Sequence, residues 1–463
     1  MDDQRQPFYD LIMAACWHYA PKAAKGEVME LKQHGYTAGS NSEWMDVIPE
    51  GAELASLTKR ARRHIEPWLS AVFQAEHLNL LLGAGFSAAI SLEAKADGAG
   101  MGYEDLGTKY DEKIKAHAAK SAAEMGRGSP NIEDQVRSAL VLIEALTLMG
   151  SDENSATLKT ALDGRLASFL QAVLTMERGI SDAGDDDWKA AVSVLQSFIL
   201  SFASRSSSRE RLHIFTTNYD RLIEYGCDLA GLRTIDRFVG ALEPVFRSSR
   251  LDVDYHYNPP GIRGEPRFME GVVRVSKLHG SLDWHLDERT RQIVRRGIAF
   301  GASANHPIIP ANPVDTVMIY PNASKDVETA AYPYAELFRD FAASLCRPNA
   351  ALVVYGYGFG DSHINRVLAD MLALPSTHVV IMAYSIDDRL RGFLAQVARP
   401  AQLTLLVGSH FSNIRQLVES YLPKPAIDQV SSRVAELLKN RAPIRANEVG
   451  AAAETVDDER GEE

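Results

Sequence analysis

The chain has 463 residues, a formal net charge of −12, 46% hydrophobic and 24% charged residues. This balance excludes a fibrous or globally disordered chain and leaves room for a core of roughly 250 to 300 residues with added segments. The acidic charge opposes unaided tracking of a phosphate backbone, which rests on clustered Lys and Arg, so no direct nucleic-acid partner is expected.

Residues 1–75 read as an N-terminal helical extension, with helical apolar spacing from Leu54 to Phe73. Met1-Asp2-Asp3 carries no basic n-region and no apolar run reaches membrane-spanning length, so a cytoplasmic location without a membrane partner is expected. Leu78 to Leu82 is a short apolar run ending at Gly83, suited to a buried parallel strand, and a nucleotide-binding core is expected over 76–425. A helical insertion interrupts it at about 94–204, with periodic stretches at Ile132 to Leu148, Ala161 to Met176 and Trp188 to Phe202. Arg211 to Thr217 is a second strand, followed by Asn218-Tyr219-Asp220 and a helix from Arg221 to Ala230. Gly271 to Leu278 is a third, running into His279, and Ser281 to Phe300 suggests a hairpin. An extended piece at Val317 to Tyr320 and a helix from Tyr334 to Leu345 come next. Ala350 to Tyr355 leads into the glycine run Gly356 to Asp361 and a helix reaching Leu372. The strands His378 to Met382 and Gln402 to Val407 follow, and residues 426–463 read as a C-terminal helix and an acidic, disordered tail. Recurrent strand, turn and helix predict an α/β fold: a doubly wound, parallel-sheet, Rossmann-like core with its ligand beyond the carboxyl ends of the strands.

Three segments carry the candidate chemistry. Gly83-Ala84-Gly85 can serve close packing, or it can let backbone N–H groups approach a pyrophosphate with Ser87 adding a hydroxyl. A third fingerprint glycine and an acidic ribose clamp are both missing, which disfavours a hydride-transfer enzyme. Asn218 and Asp220 follow a strand directly and suit either helix capping or catalysis. His279 ends a hydrophobic strand, where an imidazole can take a proton near neutral pH; His256, His285 and His363 show no evident catalytic partner. Cys16, Cys227 and Cys346 lie too far apart in sequence for a disulfide framework or a four-cysteine zinc site, which points to a reducing compartment.

The Gly-Ala-Gly-x-Ser turn at 83–87, Thr216-Thr217-Asn218-Tyr219-Asp220 and Leu278-His279-Gly280 together resemble the sirtuin family. The resemblance implies a sirtuin-like core that takes NAD, with Gly83, Ala84, Gly85, Phe86, Ser87, Thr217, Gly356, Tyr357, Gly358, Phe359 and Ser385 as nucleotide contacts. It implies Asn218, His279 and Asp220 as catalytic residues. Two departures stand out: 280–340 contains no cysteine for the zinc module of deacetylating sirtuins, and Ile90 to Lys95 replaces their Pro-x-Phe-Arg-like loop. The combination is similar to zinc-lacking sirtuin-like proteins of bacterial antiphage defence, and the layout to sirtuin-like subunits that assemble with a HerA-type ATPase. The expectation is therefore an NAD hydrolase releasing nicotinamide and ADP-ribose, with NAD as substrate, no metal, a homo-oligomeric state and a HerA-type ATPase partner. The alternatives are an NAD-dependent protein deacylase and a catalytically silent NAD- or ADP-ribose-binding scaffold for an ATPase.

Overall fold

Apolar runs too short for helices become the central strands of a nine-stranded sheet, because only a sheet interior buries such a run on both sides. The computed structural model describes residues 35–38, 45–46, 54–100, 102–124, 129–248, 254–257, 267–287, 289–303, 306, 316–318, 332–397 and 399–424. Residues 1–423 form one compact unit and 424–463 a second, of which only Lys424 is described. The expected C-terminal helix and tail therefore lie outside the described residues.

Seven strands of the large sheet run parallel: β3 (His77–Leu82), β4 (His213–Thr216), β5 (Arg233–Ile235), β10 (Val272–Lys277), β14 (Ala350–Tyr355), β15 (His378–Ala383) and β16 (Leu403–Val407). Across the sheet they lie in the order β16-β15-β14-β3-β4-β10-β5. With edge strand β5 set aside, chain order reads 3-2-1-4-5-6, the doubly wound dinucleotide-binding arrangement with its switch point beside β3. Register makes that point sharp. Leu82 pairs with both Tyr355 and Thr216, and Thr216 with Lys277, so four strands end level and release their loops on one edge.

Alternate strand residues enter two separate cores. Leu80, Leu82, Val353 and Tyr355 face α1 (Leu54–Val72), α2 (Ala84–Glu93), α6 (Asp185–Ala203) and α7 (Leu222–Leu229). Leu81, Leu352 and Val354 face α8 (Tyr334–Leu345), α9 (Ser362–Leu372) and α10 (Asp388–Val397). The helical insertion contains α3 (Asp111–Glu124), α4 (Ile132–Leu148) and α5 (Asp152–Ser181), with α6 closing it. Its own core of Leu158, Leu162, Leu166 and Phe169 also takes in Tyr219 and Leu282 from the sheet domain.

Two features differ from the sequence expectation. The 1–75 extension supplies α1, but it also supplies β1 (Gly35–Tyr36) and β2 (Met45–Asp46); β1 pairs antiparallel with β16 at Leu406 and Val407 and covers the sheet edge. Dipeptide strands carry no periodicity to read. The hairpin and extended piece expected after His279 are also part of a larger unit: β11 (Gly280–Asp287), β12 (Gln292–Arg295) and β13 (Thr316–Met318) join β6 (Phe238–Val239) and β7 (Val245–Phe246), which the sequence did not suggest, in a five-stranded sheet. Trp284 lies 5.0 Å from Phe238 and 6.1 Å from Phe246 by ring centroids, so an aromatic cluster packs this sheet.

One buried and one partly buried histidine make stability depend on pH. Burial, reinforced by Arg274 and Arg237, holds His213 well below 6.5, where it hydrogen-bonds the Ser276 and Ser344 hydroxyls at 2.9 and 3.1 Å. Burial pushes His378 down to about 4 beside the Thr404 hydroxyl. Both stay neutral in the fold while the unfolded chain takes up protons near pH 6.5, so their contribution is present above that pH and lost as pH falls through the folded values. Urea unfolding is expected to show about 1–3 kcal/mol less stability at about pH 5 than at about pH 7.5, with a smaller difference in His378→Gln. Equal midpoints at both pH values would contradict this account.

Candidate functional site

The site begins with two glycine turns pressed together. Gly83 N donates to Tyr355 O at 3.1 Å and Gly85 N donates to Gly356 O at 2.9 Å. A Cβ on Gly83 would lie 2.5 Å from Gly356 O, and one on Gly85 would lie 2.7 Å from Gly356 Cα. Gly356 itself sits at φ +67°, and its Cβ would lie 2.5 Å from Phe86 N. These glycines let the loops after β3 and β14 touch backbone to backbone. One expectation is thereby corrected: the N–H groups of Gly83 and Gly85 are spent on protein carbonyls and do not reach toward a pyrophosphate. What the turn offers an anion is the positive end of α2, which starts at Ala84 without a side-chain cap.

Asn218, Ser87 and Asp220 form a buried chain of hydrogen bonds against that turn. Asn218 Nδ2 donates to Gly83 O at 2.9 Å and to Ser87 Oγ at 2.8 Å; Ser87 Oγ donates to Asp220 Oδ2 at 2.6 Å. A carbonyl only accepts, so Gly83 fixes which end of the amide faces it and leaves Asn218 Oδ1 as the acceptor available to a ligand. Asp220 Oδ1 accepts from Leu222 N at 3.2 Å, so this carboxylate caps α7 as well as holding Ser87.

The rest of the loop is anchored from three sides. Arg221 N donates to Glu177 Oε1 at 2.7 Å, and its guanidinium pairs with Glu177 Oε2 at 2.5 Å, tying the loop to α5. Burial raises the Glu177 carboxyl against the opposing pull of Arg221. Buried Lys277 donates to Asp220 O and pairs with Glu224 at 3.3 Å. Tyr219 packs edge-on against Phe169 of α5, ring centroids 5.8 Å apart, and joins the core of the insertion.

His279 is delivered by a corner between β10 and β11. Leu278 N continues the register by donating to Thr216 O at 2.8 Å, and Gly280 takes φ +85°, which turns the chain immediately after the histidine. Its ring is buried, 6.4 Å from Tyr219 and 5.6 Å from His363 by centroids, with Nε2 3.4 Å from His363 Nε2. Ligand atoms of His279, Asp361 and His363 all lie within 4.8 Å of one another. Two imidazoles and a carboxylate are a donor set that a divalent cation accepts.

Two clefts flank the Gly356 turn. The first, about 310 Å³, is lined by Gly83, Ala84, Ser87, Thr217, Asn218, Asp220 and His279, and α5 closes it with Phe169, Val173 and Met176. The second, about 550 Å³, is lined by Gly85, Phe359, Tyr384, Ser385 and Asp387. Ala88, Gly356, Tyr357 and Gly358 line both, so the two meet across the turn. The residues singled out in the sequence thus converge, with one correction. The Phe86 side chain is fully buried against Phe198 and Tyr355, at 5.4 and 6.4 Å, and faces the core. Sequence reasoning missed Asp361 and Arg389 in the first cleft, along with its wall from the insertion, and it missed His363 as the partner that meets His279. His363 and Asp361 had a signal in their place directly after a glycine run; Arg389 sits within Asp387-Asp388-Arg389-Leu390-Arg391, which reads as an ordinary solvated helix start.

Strand order and the glycine contact at the switch point are those of a doubly wound, Rossmann-type fold. The profile of the SIR2-like domain matches residues 212–398, a span that carries Asn218, His279 and the 356–361 glycine run. The match supports a sirtuin-like, NAD-related protein. No curated protein matches the chain. Among the described residues no helix is long and apolar enough to cross a membrane.

The glycine contact sets a packing test. Gly356→Ala is expected to lower stability by about 1–3 kcal/mol through overpacking and left-handed strain, read as a reduced thermal midpoint. Unchanged melting would show that the two turns can separate at little cost.

Proposed function

We propose that the chain is an NAD hydrolase that cleaves the nicotinamide–ribose bond to give nicotinamide and ADP-ribose. The observation that carries this reading is one cleft offering both an amide acceptor, Asn218 Oδ1, and a buried imidazole, His279, joined to a second cleft large enough for the other half of a dinucleotide. The SIR2-like match supports the choice of nucleotide.

Nicotinamide is cationic in NAD and leaves as a neutral molecule, so orientation and water delivery carry most of the catalytic load. Water attacks C1′ of the ribose as the glycosidic bond breaks and the electron pair goes to the ring nitrogen. His279 takes the proton that water loses and later returns it to solvent. Asn218 Oδ1 accepts a hydrogen bond from the attacking water or a ribose hydroxyl. Asp220 works at one remove, holding Ser87 and the start of α7 so that Asn218 keeps its orientation. No step in this route requires a metal. A homo-oligomer, a HerA-type ATPase partner and a role in antiphage defence extend the reading on resemblance alone.

Incubation of the purified chain with NAD, followed by product analysis, tests the reaction. Free nicotinamide and ADP-ribose are expected without any acyl-lysine peptide, and His279→Ala is expected to cut the rate about 10²- to 10⁴-fold. An absolute requirement for an acylated peptide would favour deacylation, and nucleotide binding without product would favour a scaffold. Turnover is also expected to persist after exhaustive chelation; loss of activity restored by a divalent cation would reassign His279, Asp361 and His363 as metal ligands.

A further inference from the structure

Beyond the positive end of α2, the groups that the glycine turn would offer a diphosphate are committed elsewhere in this protein. Gly83 N and Gly85 N are bonded to Tyr355 O and Gly356 O. The Ser87 hydroxyl accepts from Asn218 and donates to Asp220. A dinucleotide spanning both clefts carries two negative charges where the clefts join, and partly desolvated charge needs a compensating cation. Among the described residues lining the two clefts, Arg389 is the only Lys or Arg.

Its position fits that need. The guanidinium lies over the glycine run: a Cβ built on Gly358 would be 3.6 Å from Nη2 and 3.7 Å from Nη1, and one on Gly360 would be 3.0 Å from Nη1. Gly358 belongs to both clefts, so the cation stands at their junction. The charge is also weakly engaged. Its ion pair within the protein is with Asp387, at 3.2 Å through Nη2, between side chains 26% and 39% exposed, a type of pair worth little. The buried Nε has no hydrogen-bond partner. A planar donor fork with unused capacity, beside glycines that leave room for it, is the geometry that binds phosphate oxygens in pairs.

We propose that Arg389 forms a diphosphate-binding subsite, gripping the bridging diphosphate of the dinucleotide at the junction of the two clefts. The subsite rests on a dinucleotide occupying both clefts, and binding tests it without any turnover. Calorimetric titration of the purified chain with ADP-ribose and with adenosine, which lacks the diphosphate, isolates the contribution. Arg389→Ala is expected to weaken ADP-ribose binding about 10- to 100-fold and leave adenosine unchanged; Arg389→Lys, a point charge without the fork, is expected to recover only part of the loss. Gly360→Ala approaches the question from the other side, since its methyl group crowds Nη1, and is expected to weaken ADP-ribose in the same selective way. Equal weakening of both ligands, or full ADP-ribose affinity in Arg389→Ala, overturns the subsite. So does a wild-type chain that binds ADP-ribose no better than adenosine, even if it hydrolyses NAD. Selective loss in a chain that makes no nicotinamide keeps the subsite and removes the hydrolase reading.

Discussion

The backbone-to-backbone contact between the turn at Gly83–Gly85 and the turn at Gly356 is the constraint on which the site depends. Carbonyl and Cα atoms occupy the space where side chains would stand, so the loops after β3 and β14 cannot part without losing two hydrogen bonds. Asn218 then hangs from Gly83 O, Ser87 is held by Asn218 and Asp220 by Ser87, and the two clefts open on either side of Gly356. Glycine at these positions is a packing requirement first, and its service to a ligand is indirect.

The loop that carries Asn218 is held by more than the sheet. Glu177 of α5 binds Arg221, Phe169 of the same helix packs on Tyr219, and Lys277 of β10 reaches the carbonyl of Asp220. The helical insertion is therefore part of the site's wall and part of its scaffold, through one helix that supplies apolar cleft surface and a buried carboxylate together. Buried charges in such a frame make sense when each is paired: Glu177 with Arg221, and Lys277 with Glu224. Replacing one partner leaves the other uncompensated, which couples the loop's position to the integrity of the insertion.

The five-stranded antiparallel sheet joins three strands that follow His279 to β6 and β7, which precede it, and aromatic contacts of Trp284 with Phe238 and Phe246 pack the two parts together. A segment without cysteines thus holds its shape by apolar burial. The same segment begins at Gly280, so the residue that lets the new sheet start is also the one that turns His279 into the cleft.

The sequence by itself determined the six long parallel strands β3, β4, β10, β14, β15 and β16, the helices Ile132–Leu148 and Tyr334–Leu345, and the three segments that gather at the switch point. Each is encoded locally: apolar runs of strand length, helical periodicity, and polar residues placed directly after a strand. Parallel register then carries a local statement into space, since strands that end level must bring Gly83, Thr217, Leu278 and Gly356 to one edge. Only the tertiary structure decided which groups remain available there. Spacing could not reveal that the N–H groups of Gly83 and Gly85 are spent on Tyr355 and Gly356, or that Phe86 turns inward onto Phe198. Nor could it reveal that Arg389, in an unremarkable charged helix start, meets the glycine run from across the cleft. Availability depends on neighbours distant in sequence, and a local pattern records what a residue is but not what already occupies its donors and acceptors.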